Sequence, residues 1–336
     1  MSEPINTALI GFGKAGQFLH APFIEESILF EFKKIVERTP KGAGQAYPNV
    51  QVVKTYNDIL LDQTIELIVI ATPNDTHASM IEQALLHGKH VVVDKPFTVR
   101  IEDAKRLQAL SIQAGKHIFV YQNRRWDSDF LTIQKILKEK ILGEIISIES
   151  RFDRYRPEPR TTYWKESAEF GNGLWYDLGP HLMDQAFHLF GQPLSYKADI
   201  KRQREGAVGI DYFDVQFAYE KLTYTIHAGM LVKEPTSRWL IVGSEATFIK
   251  VGVDPQEARL NAGEMPQGAD WGIEQEESYG LIVYSTNESK LYQSINGDYR
   301  KFYEGVFDSI RNDAPALIKL DDAVELVGWL ERLALE

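Results

Sequence analysis

The chain has 336 residues, enough for two domains, and its 44% hydrophobic and 25% charged residues are typical of a globular protein with a sizeable core. A formal net charge of −11 argues against nucleic acid or an anionic membrane as the main partner, and the absence of cysteine excludes disulfides, thiolate metal sites and cysteine nucleophiles. The sequence shows neither a basic-then-apolar leader nor an apolar run that could span a bilayer, so we expect a cytoplasmic protein.

The first predicted element is an apolar strand that ends in glycines spaced G-x-G-x-x-G. Gly11 permits a tight turn, Gly13 leaves room for a pyrophosphate beside the backbone, and Gly16 lets the following helix pack closely on the strand. The N-terminus of that helix offers N–H groups to phosphates. A plain tight turn is the alternative, but the position after an N-terminal strand favours a dinucleotide site. Its predicted cofactor-binding residues are Gly11, Phe12, Gly13, Lys14, Ala15 and Gly16.

The helix that follows contains His20, and Pro22 is expected to end or kink it. His20 is interpreted as a surface or helix-end histidine, with ligand contact as the alternative.

A second strand is predicted over residues 30–37, and its end carries two side chains of opposite charge. This end lies about twenty residues past the glycines, where an acidic residue would bind the ribose hydroxyls and an arginine would receive a 2′-phosphate. Glu37 favours NAD, whereas Arg38, helped by Thr39 and Lys41, favours NADP. A solvated charge pair is the third interpretation, so the residues alone leave the cofactor open.

Apolar runs at residues 67–71, 89–94 and 118–121 alternate with helical stretches at 77–86 and 102–114. This alternation predicts a doubly wound parallel sheet, whose ligands bind at the carboxyl ends of the strands. The candidate cofactor ligands at these ends are Thr72, Pro73, Asn74, His77, Asp94, Lys95, Pro96 and Gln122. Lys95 could also be a surface lysine, but its position after a buried strand favours a functional role.

The pattern changes beyond residue 144. Segments of alternating polarity occur at residues 145–152, 195–202, 212–219, 221–228, 239–242 and 246–250. They predict an open, mainly antiparallel sheet with helices on one face, and a homodimer or homotetramer is the simplest cover for the other face. We therefore predict a dinucleotide-binding domain over residues 1–122 and a substrate-binding and oligomerisation domain over 123–336. The last helix, at 321–333, is a candidate to pack back on the first domain.

A further helix is predicted from about Pro180 to residue 190, with Asp177 just before it and His181 in its first turn. Their spacing lets a carboxylate orient an imidazole, as a catalytic base requires. An N-capping aspartate beside an unrelated histidine is the alternative. His188 lies two turns later on the same face, so a metal site of Asp177, His181 and His188 is a further alternative. Nothing else nearby completes a ligand set, and no metal is predicted.

Three motifs together resemble the Gfo/Idh/MocA oxidoreductases: Gly-Phe-Gly-Lys-Ala-Gly at 11–16, Val-Val-Val-Asp-Lys-Pro at 91–96, and the glycine-rich segment that leads through Asp177 to His181. Asp94 stands where the family usually has glutamate. Segments 18–22, 121–127 and 155–157 resemble the family's NADP-dependent scyllo-inositol dehydrogenase branch. That branch usually has a small residue at the position of Glu37.

The resemblance implies a Rossmann domain joined to an α/β domain with a large open antiparallel sheet. It also implies that Lys95, Asp177 and His181 form the catalytic set, with NADP as cofactor and NAD as the alternative. We expect hydride transfer between the cofactor and a secondary alcohol or ketone of a cyclic polyol or sugar. The candidate substrate-binding residues are Asn123, Arg124, Tyr155, Trp164, Asp177 and His181. A non-catalytic dinucleotide-binding sensor is the alternative function, which the intact catalytic set disfavours.

Overall fold

The structure is a computed structural model that describes residues 2–160, 163–234, 236–285 and 287–336. The strands are β1 Ile5–Ile10, β2 Phe30–Val36, β3 Gln51–Val53, β4 Leu67–Ile70, β5 His90–Asp94, β6 Ile118–Tyr121, β7 Ile145–Arg151, β8 Ser195–Lys201, β9 Tyr212–Ala218, β10 Thr223–Gly229, β11 Trp239–Gly243, β12 Thr247–Lys250, β13 Gly280–Ser285 and β14 Glu288–Tyr292. The α-helices are α1 Ala21–Glu26, α2 Ala43–Ala46, α3 Asn57–Leu60, α4 His77–Leu86, α5 Ile101–Ala114, α6 Ser128–Lys138, α7 Gly173–Phe190, α8 Gln256–Asn261, α9 Arg300–Arg311 and α10 Leu320–Leu335. No helix among the described residues has the length and apolarity needed to cross a membrane.

The chain forms two compact units. The first consists of Met1–Asn123, Gln256–Trp271 and Tyr299–Gly328. The second consists of Arg124–Pro255, Gly272–Asp298 and Trp329–Glu336. The transition between Asn123 and Arg124 lies next to the boundary predicted from the sequence, and two later segments belong to the first unit again.

The first unit contains a six-stranded sheet in the order β3-β2-β1-β4-β5-β6, with every pairing parallel. All four residues of β4 are buried, as expected for a strand covered on both faces of its sheet. The strand order reverses between β1 and β4, which is where ligands bind in such folds. The predicted doubly wound parallel sheet is therefore confirmed.

One apolar core of the first unit extends from this sheet into the helices on it. Ile81 of α4 and Leu107 of α5 are completely buried there. The first part of α10 contributes Ala323, Val324 and Val327, whose spacing puts them on one side of a helix. The sheet and these helices hold the strand ends of the first unit in fixed positions.

The second unit contains an eight-stranded sheet in the order β14-β13-β12-β11-β7-β10-β9-β8. Among the pairings that the described residues make within this second sheet, only β7–β10 is parallel. On β9, Phe213, Val215 and Phe217 are buried and alternate with more exposed neighbours, while α7 packs against β9 and β10. The predicted mainly antiparallel sheet is confirmed, and association of copies through its other face stays a prediction.

Candidate active site

The glycine turn after β1 is shaped by two close backbone contacts. Gly11 has a φ of +93°, and a Cβ there would lie 2.3 Å from the carbonyl oxygen of Ala71. A Cβ on Gly16 would lie 1.9 Å from the carbonyl oxygen of Gly11. A Cβ on Gly13, in contrast, would meet no described atom within 4 Å. The space beside Gly13 fits a pyrophosphate that approaches the backbone.

The other residues of the turn divide into buried and exposed side chains. The ring of Phe12 is buried against Tyr47, with 6.1 Å between the ring centroids. The side chain of Lys14 is exposed and that of Ala15 is partly exposed. Phe12 therefore offers its backbone to a ligand, whereas Lys14 can offer its ammonium group.

His20 ends a π-helical turn over Gly16–His20, and α1 begins directly after it with Pro22 in its first turn. Its imidazole is completely buried, 4.4 Å from the ring of Tyr121, and its Nδ1 lies 2.8 Å from the hydroxyl of Tyr303. Burial lowers the pKa of His20 to about 4. The interpretation of His20 as a surface or helix-end histidine is wrong about its surroundings, because side chains distant in sequence enclose it.

Glu37 and Arg38 follow β2, and their side chains differ in burial. Glu37 is only 9% exposed, and its Oε1 accepts hydrogen bonds from the backbone N–H groups of Lys41 and of Ala43, the latter at 3.3 Å. Arg38 is exposed, as are Thr39 and Lys41. The two charges that left the cofactor open in the sequence therefore differ in exposure, since the Glu37 carboxylate is buried against backbone N–H groups and the Arg38 side chain faces solvent.

His77 links the ends of two neighbouring strands. It is completely buried, with Nε2 3.0 Å from the carbonyl oxygen of Thr72 and Nδ1 2.9 Å from that of Pro96. Burial lowers the pKa of His77, although its contacts with the two carbonyl oxygens oppose this shift. His77 thus fixes the loops after β4 and β5 in position. Thr72 also places its hydroxyl 2.7 Å from that of Thr76, and Pro73 and Asn74 form the turn between them.

Lys95 follows the last residue of β5. The carboxylate of Asp94 accepts a hydrogen bond from the backbone N–H of Lys95 at 2.8 Å, and the Lys95–Pro96 peptide bond is cis. The side chain of Lys95 is partly exposed. The strand end therefore fixes the backbone of this lysine, and the role of its ammonium group stays a prediction.

Gln122 and Asn123 follow β6 and are both buried. The Oε1 of Gln122 has no hydrogen-bond partner among the described residues. A buried polar atom without a partner costs about 1–3 kcal/mol, so this oxygen fits a ligand that donates an N–H, such as a carboxamide. Together with the space at Gly13, this atom makes the first unit suitable for a nicotinamide dinucleotide.

In the second unit, Asp177 and His181 both lie within α7. The helix begins at Gly173 rather than near Pro180, so the prediction that Asp177 precedes the helix is wrong. The N–H of Leu174 donates to the carbonyl oxygen of Ile210 at 2.6 Å, which fixes the helix start through a partner distant in sequence. The spacing of four residues puts Asp177 and His181 on one face of the helix.

Two cations bind the Asp177 carboxylate. Lys165 Nζ lies 2.9 Å from its Oδ1, and Arg154 Nη1 lies 3.6 Å from its Oδ2. His181 is 5% exposed. The Asp177 carboxylate is thus held in a fixed orientation one helical turn before His181. Its effect on the His181 imidazole stays a prediction.

The loop rich in arginine and tyrosine is anchored by Arg204, which the sequence analysis did not single out. Its guanidinium donates to carboxylate oxygens of Asp211 and Glu166, each at 2.8 Å, and to the carbonyl oxygens of Arg156 and Glu158. Because these partners lie 7 to 48 residues away in sequence, no local pattern reveals them.

Two predicted substrate-binding aromatic residues remain accessible in this part of the second unit. Tyr155 is 47% exposed and Trp164 is 38% exposed. Lys233 Nζ lies 5.4 Å from the centre of the Tyr155 ring, and Lys165 Nζ lies 5.6 Å from that of Trp164. Their exposed rings can pack against the C–H face of a sugar or cyclitol.

Arg124 is mostly buried in the second unit. Its Nη1 lies 3.2 Å from an oxygen of Asp127, and its guanidinium lies 4.7 Å from the centre of the Phe152 ring. These contacts hold Arg124 in place, and its role in substrate binding stays a prediction.

The alternative metal site is not supported. The ring of His188 lies 5.9 Å from that of Phe130. Within the described ranges, no three or more histidine, cysteine, aspartate or glutamate side chains are grouped so that they could hold a metal ion.

Known proteins match both units. Residues 5–122 match the GFO_IDH_MocA family described as "Oxidoreductase family, NAD-binding Rossmann fold", and residues 134–335 match "Oxidoreductase family, C-terminal alpha/beta domain". The oxidoreductase YdgJ of Escherichia coli is 38% identical and covers 98% of this chain and 96% of the relative. The scyllo-inositol 2-dehydrogenase (NADP(+)) IolW of Bacillus subtilis is 33% identical, and the match covers 98% of this chain and 92% of the relative.

Solved structures agree. The structure of yvaA from Bacillus subtilis has a TM-score of 0.94 and 32% identity, covering 100% of this chain and 97% of that one. The structure of YPO2259 from Yersinia pestis has a TM-score of 0.93 and 38% identity, covering 100% and 95%.

Proposed function

Since the chain belongs to the Gfo/Idh/MocA oxidoreductase family, we propose that it transfers hydride between NADP(H) and a secondary alcohol or ketone of a cyclic polyol of the inositol class. The observation that carries this proposal is the similarity to IolW, which extends over 98% of this chain and whose name specifies both the substrate and the cofactor. The family itself shows an NAD(P)-binding oxidoreductase; the polyol and the choice of NADP are our proposal.

In this proposal the first unit holds the cofactor. The backbone from Gly11 to Gly16 binds the pyrophosphate, and the exposed Arg38 receives the 2′-phosphate. The buried Oε1 of Gln122 accepts a hydrogen bond from the carboxamide. When bound, the nicotinamide supplies the site that gives or accepts hydride.

The proposed catalytic residues act on the reacting carbinol. His181 takes the hydroxyl proton during oxidation and returns it during reduction. The ammonium group of Lys95 donates a hydrogen bond to the same oxygen and stabilises the negative charge that develops there. Asp177, held by Lys165 and Arg154, stabilises the charged form of His181.

The proposed substrate contacts supply what a polyol requires. The exposed rings of Tyr155 and Trp164 pack against the C–H face of the ring. Asn123 and Arg124 donate hydrogen bonds to hydroxyl groups that do not react. A polyol has many such hydroxyls and no net charge, so binding depends on several directed hydrogen bonds.

The test is a spectrophotometric screen at 340 nm, in which NADP⁺ and NAD⁺ are each paired with a panel of inositols and aldoses. We expect the fastest reduction of NADP⁺ with scyllo-inositol or a close stereoisomer. Faster turnover of an aldose would contradict the proposed substrate. No turnover across the panel would reject the proposal and favour the dinucleotide-binding sensor.

A further inference from the structure

We propose that Glu37 is a positioning residue for the 2′-phosphate of NADP(H), although its position after β2 is the one at which an acidic residue would select NAD. Its carboxylate holds the backbone of the loop over residues 38–42, called the phosphate loop below, so that Arg38 and Lys41 are presented outward. This inference rests on the proposed use of NADP(H).

The contacts of Glu37 occupy one carboxylate oxygen with backbone donors. Oε1 accepts from the N–H groups of both Lys41 and Ala43, and the backbone N–H of Glu37 itself donates to the carbonyl oxygen of Val53 at 2.9 Å. With 9% of its surface exposed, the residue is fixed at both its backbone and its side chain. A glutamate that binds the ribose hydroxyls would instead direct its carboxylate toward the bound nucleotide.

The geometry of the phosphate loop explains why it needs such an acceptor. Ala43 is the first residue of α2, and the residue before it, Gly42, has a φ of +97° and no side chain with which to cap the helix. A capping oxygen normally comes from that residue. Glu37 supplies this oxygen from outside the phosphate loop and so holds the end of the loop against the residue that precedes it.

The outward side of the phosphate loop carries the groups that a phosphate requires. Arg38, Thr39 and Lys41 are all exposed. A guanidinium can bind a phosphate through two parallel hydrogen bonds, and a lysine adds a second positive charge. The Glu37 carboxylate is buried and faces backbone N–H donors, so the exposed charges of the phosphate loop are those of Arg38 and Lys41.

The two possible roles of Glu37 predict opposite changes in cofactor preference. If Glu37 positions the phosphate loop, its removal disorders Arg38 and Lys41 and lowers affinity for NADPH more than affinity for NADH. If Glu37 binds the ribose hydroxyls, its removal weakens NADH binding and relieves repulsion of the 2′-phosphate, which raises the preference for NADPH.

The experiment titrates NADPH and NADH separately into the full-length protein and follows nucleotide fluorescence, without any turnover. For Glu37→Ala we expect NADPH affinity to fall about tenfold and NADH affinity to change by less than about twofold. Glu37→Gln keeps an oxygen acceptor at the same reach and should stay near wild type. Glu37→Asp keeps the charge but is one methylene shorter, and should behave like Glu37→Ala.

Glu31→Ala is the matched control, because Glu31 is an exposed glutamate of β2, the strand that Glu37 follows, and its carboxylate pairs with Lys33 at 3.0 Å. It should leave both affinities unchanged. An unchanged or increased NADPH preference in Glu37→Ala would overturn the inference. If circular dichroism shows that this variant does not fold, the Gln and Asp variants decide: equal affinities in the two would equally overturn it.

Failure of the proposed function gives a different result. Wild-type protein that binds NADH as tightly as NADPH refutes the proposed cofactor before any variant is examined. Wild-type protein that prefers NADPH but turns over no polyol refutes the proposed reaction and leaves the binding test of Glu37 intact.

Discussion

In the first unit His20 and His77 are completely buried, whereas in the second unit His227 lies between two carboxylates. Burial lowers the pKa of both His20 and His77. His227 Nε2 lies 3.2 Å from Asp153 and its Nδ1 lies 2.9 Å from Asp214. Burial alone would lower the pKa of His227 as well, but hydrogen bonds to the two aspartates raise it. Burial therefore lowers the pKa of the two histidines in the first unit, whereas carboxylate partners outweigh burial and raise that of His227 in the second.

The two units also differ in other polar groups, in a way that agrees with the function proposed for each unit. At its strand ends the first unit combines backbone groups and the buried amide oxygen of Gln122 with the charged side chains of Asp94 and Lys95. The second unit fixes its elements with buried ion pairs, among them Arg204–Asp211 and the bidentate pair Arg125–Asp184. Backbone groups at the strand ends suit the binding of a cofactor. Ion pairs of fixed geometry suit the positioning of a residue that must gain and lose a proton.

The largest effect is expected where the second unit is proposed to move a proton. His181→Ala should lower kcat about 10³-fold, or about 4 kcal/mol, because the general base is lost. Initial rates at saturating NADP⁺ and polyol measure this, and fluorescence titration should show unchanged NADPH binding. His188→Ala, in the same helix but exposed, is the control and should retain kcat within about threefold. Equal losses in the two variants would contradict the assignment.

A smaller effect is expected when the buried His20 of the first unit is forced to accept a proton. His20 has a native pKa of about 4 and an unfolded value near 6.5, so its stabilising contribution is complete above about pH 6.5 and is lost as the pH falls toward 4. The unfolded state binds the proton first, which costs the native state up to about 3 kcal/mol.

The measurement compares urea unfolding midpoints at pH 6.5 and pH 4.5 for wild type and His20→Gln. Wild type should lose more stability between the two pH values than the variant does. Equal losses would show that His20 does not titrate in this way, whatever the absolute stability of the variant.

The smallest effect should have the opposite sign and arise in the second unit. Because the native pKa of His227 is raised, its contribution is complete below about pH 6.5 and is lost as the pH rises through the native pKa. Asp214 is 39% exposed at its side chain, so solvent screening keeps this contribution small. Between pH 6 and pH 8.5, the urea unfolding midpoint should fall more in wild type than in His227→Gln. A larger fall in the variant would reverse the proposed contrast between the units.

The parts of the fold that were predictable depend on local sequence. Largely apolar segments of four to six residues, separated by helical stretches, identified β4, β5 and β6, and the glycine spacing identified the turn after β1. The strands β13 and β14 were missed; β14 exposes most of its residues and shows no apolar alternation. The short β3 and α2 were also missed, since a few residues give no periodic signal.

The parts of the site that were not predictable depend on distant partners. The burial of His20 requires Tyr303, which lies 283 residues away. The start of α7 depends on Ile210, and the opposed charges of Glu37 and Arg38 are distinguished only when the chain folds back to Lys41 and Ala43. Sequence motifs identified the candidate residues, whereas their partners came from the three-dimensional structure.

The most direct test of the central claim follows the hydride itself. Protein, NADP⁺ and scyllo-inositol that carries deuterium on its ring carbons are incubated together, and the NADPH formed is analysed by mass spectrometry. The account predicts NADPH with a single deuterium at C4 of the nicotinamide, and far less of it in the same time with Lys95→Ala. NADPH without deuterium, or no NADPH from any inositol, would contradict the account.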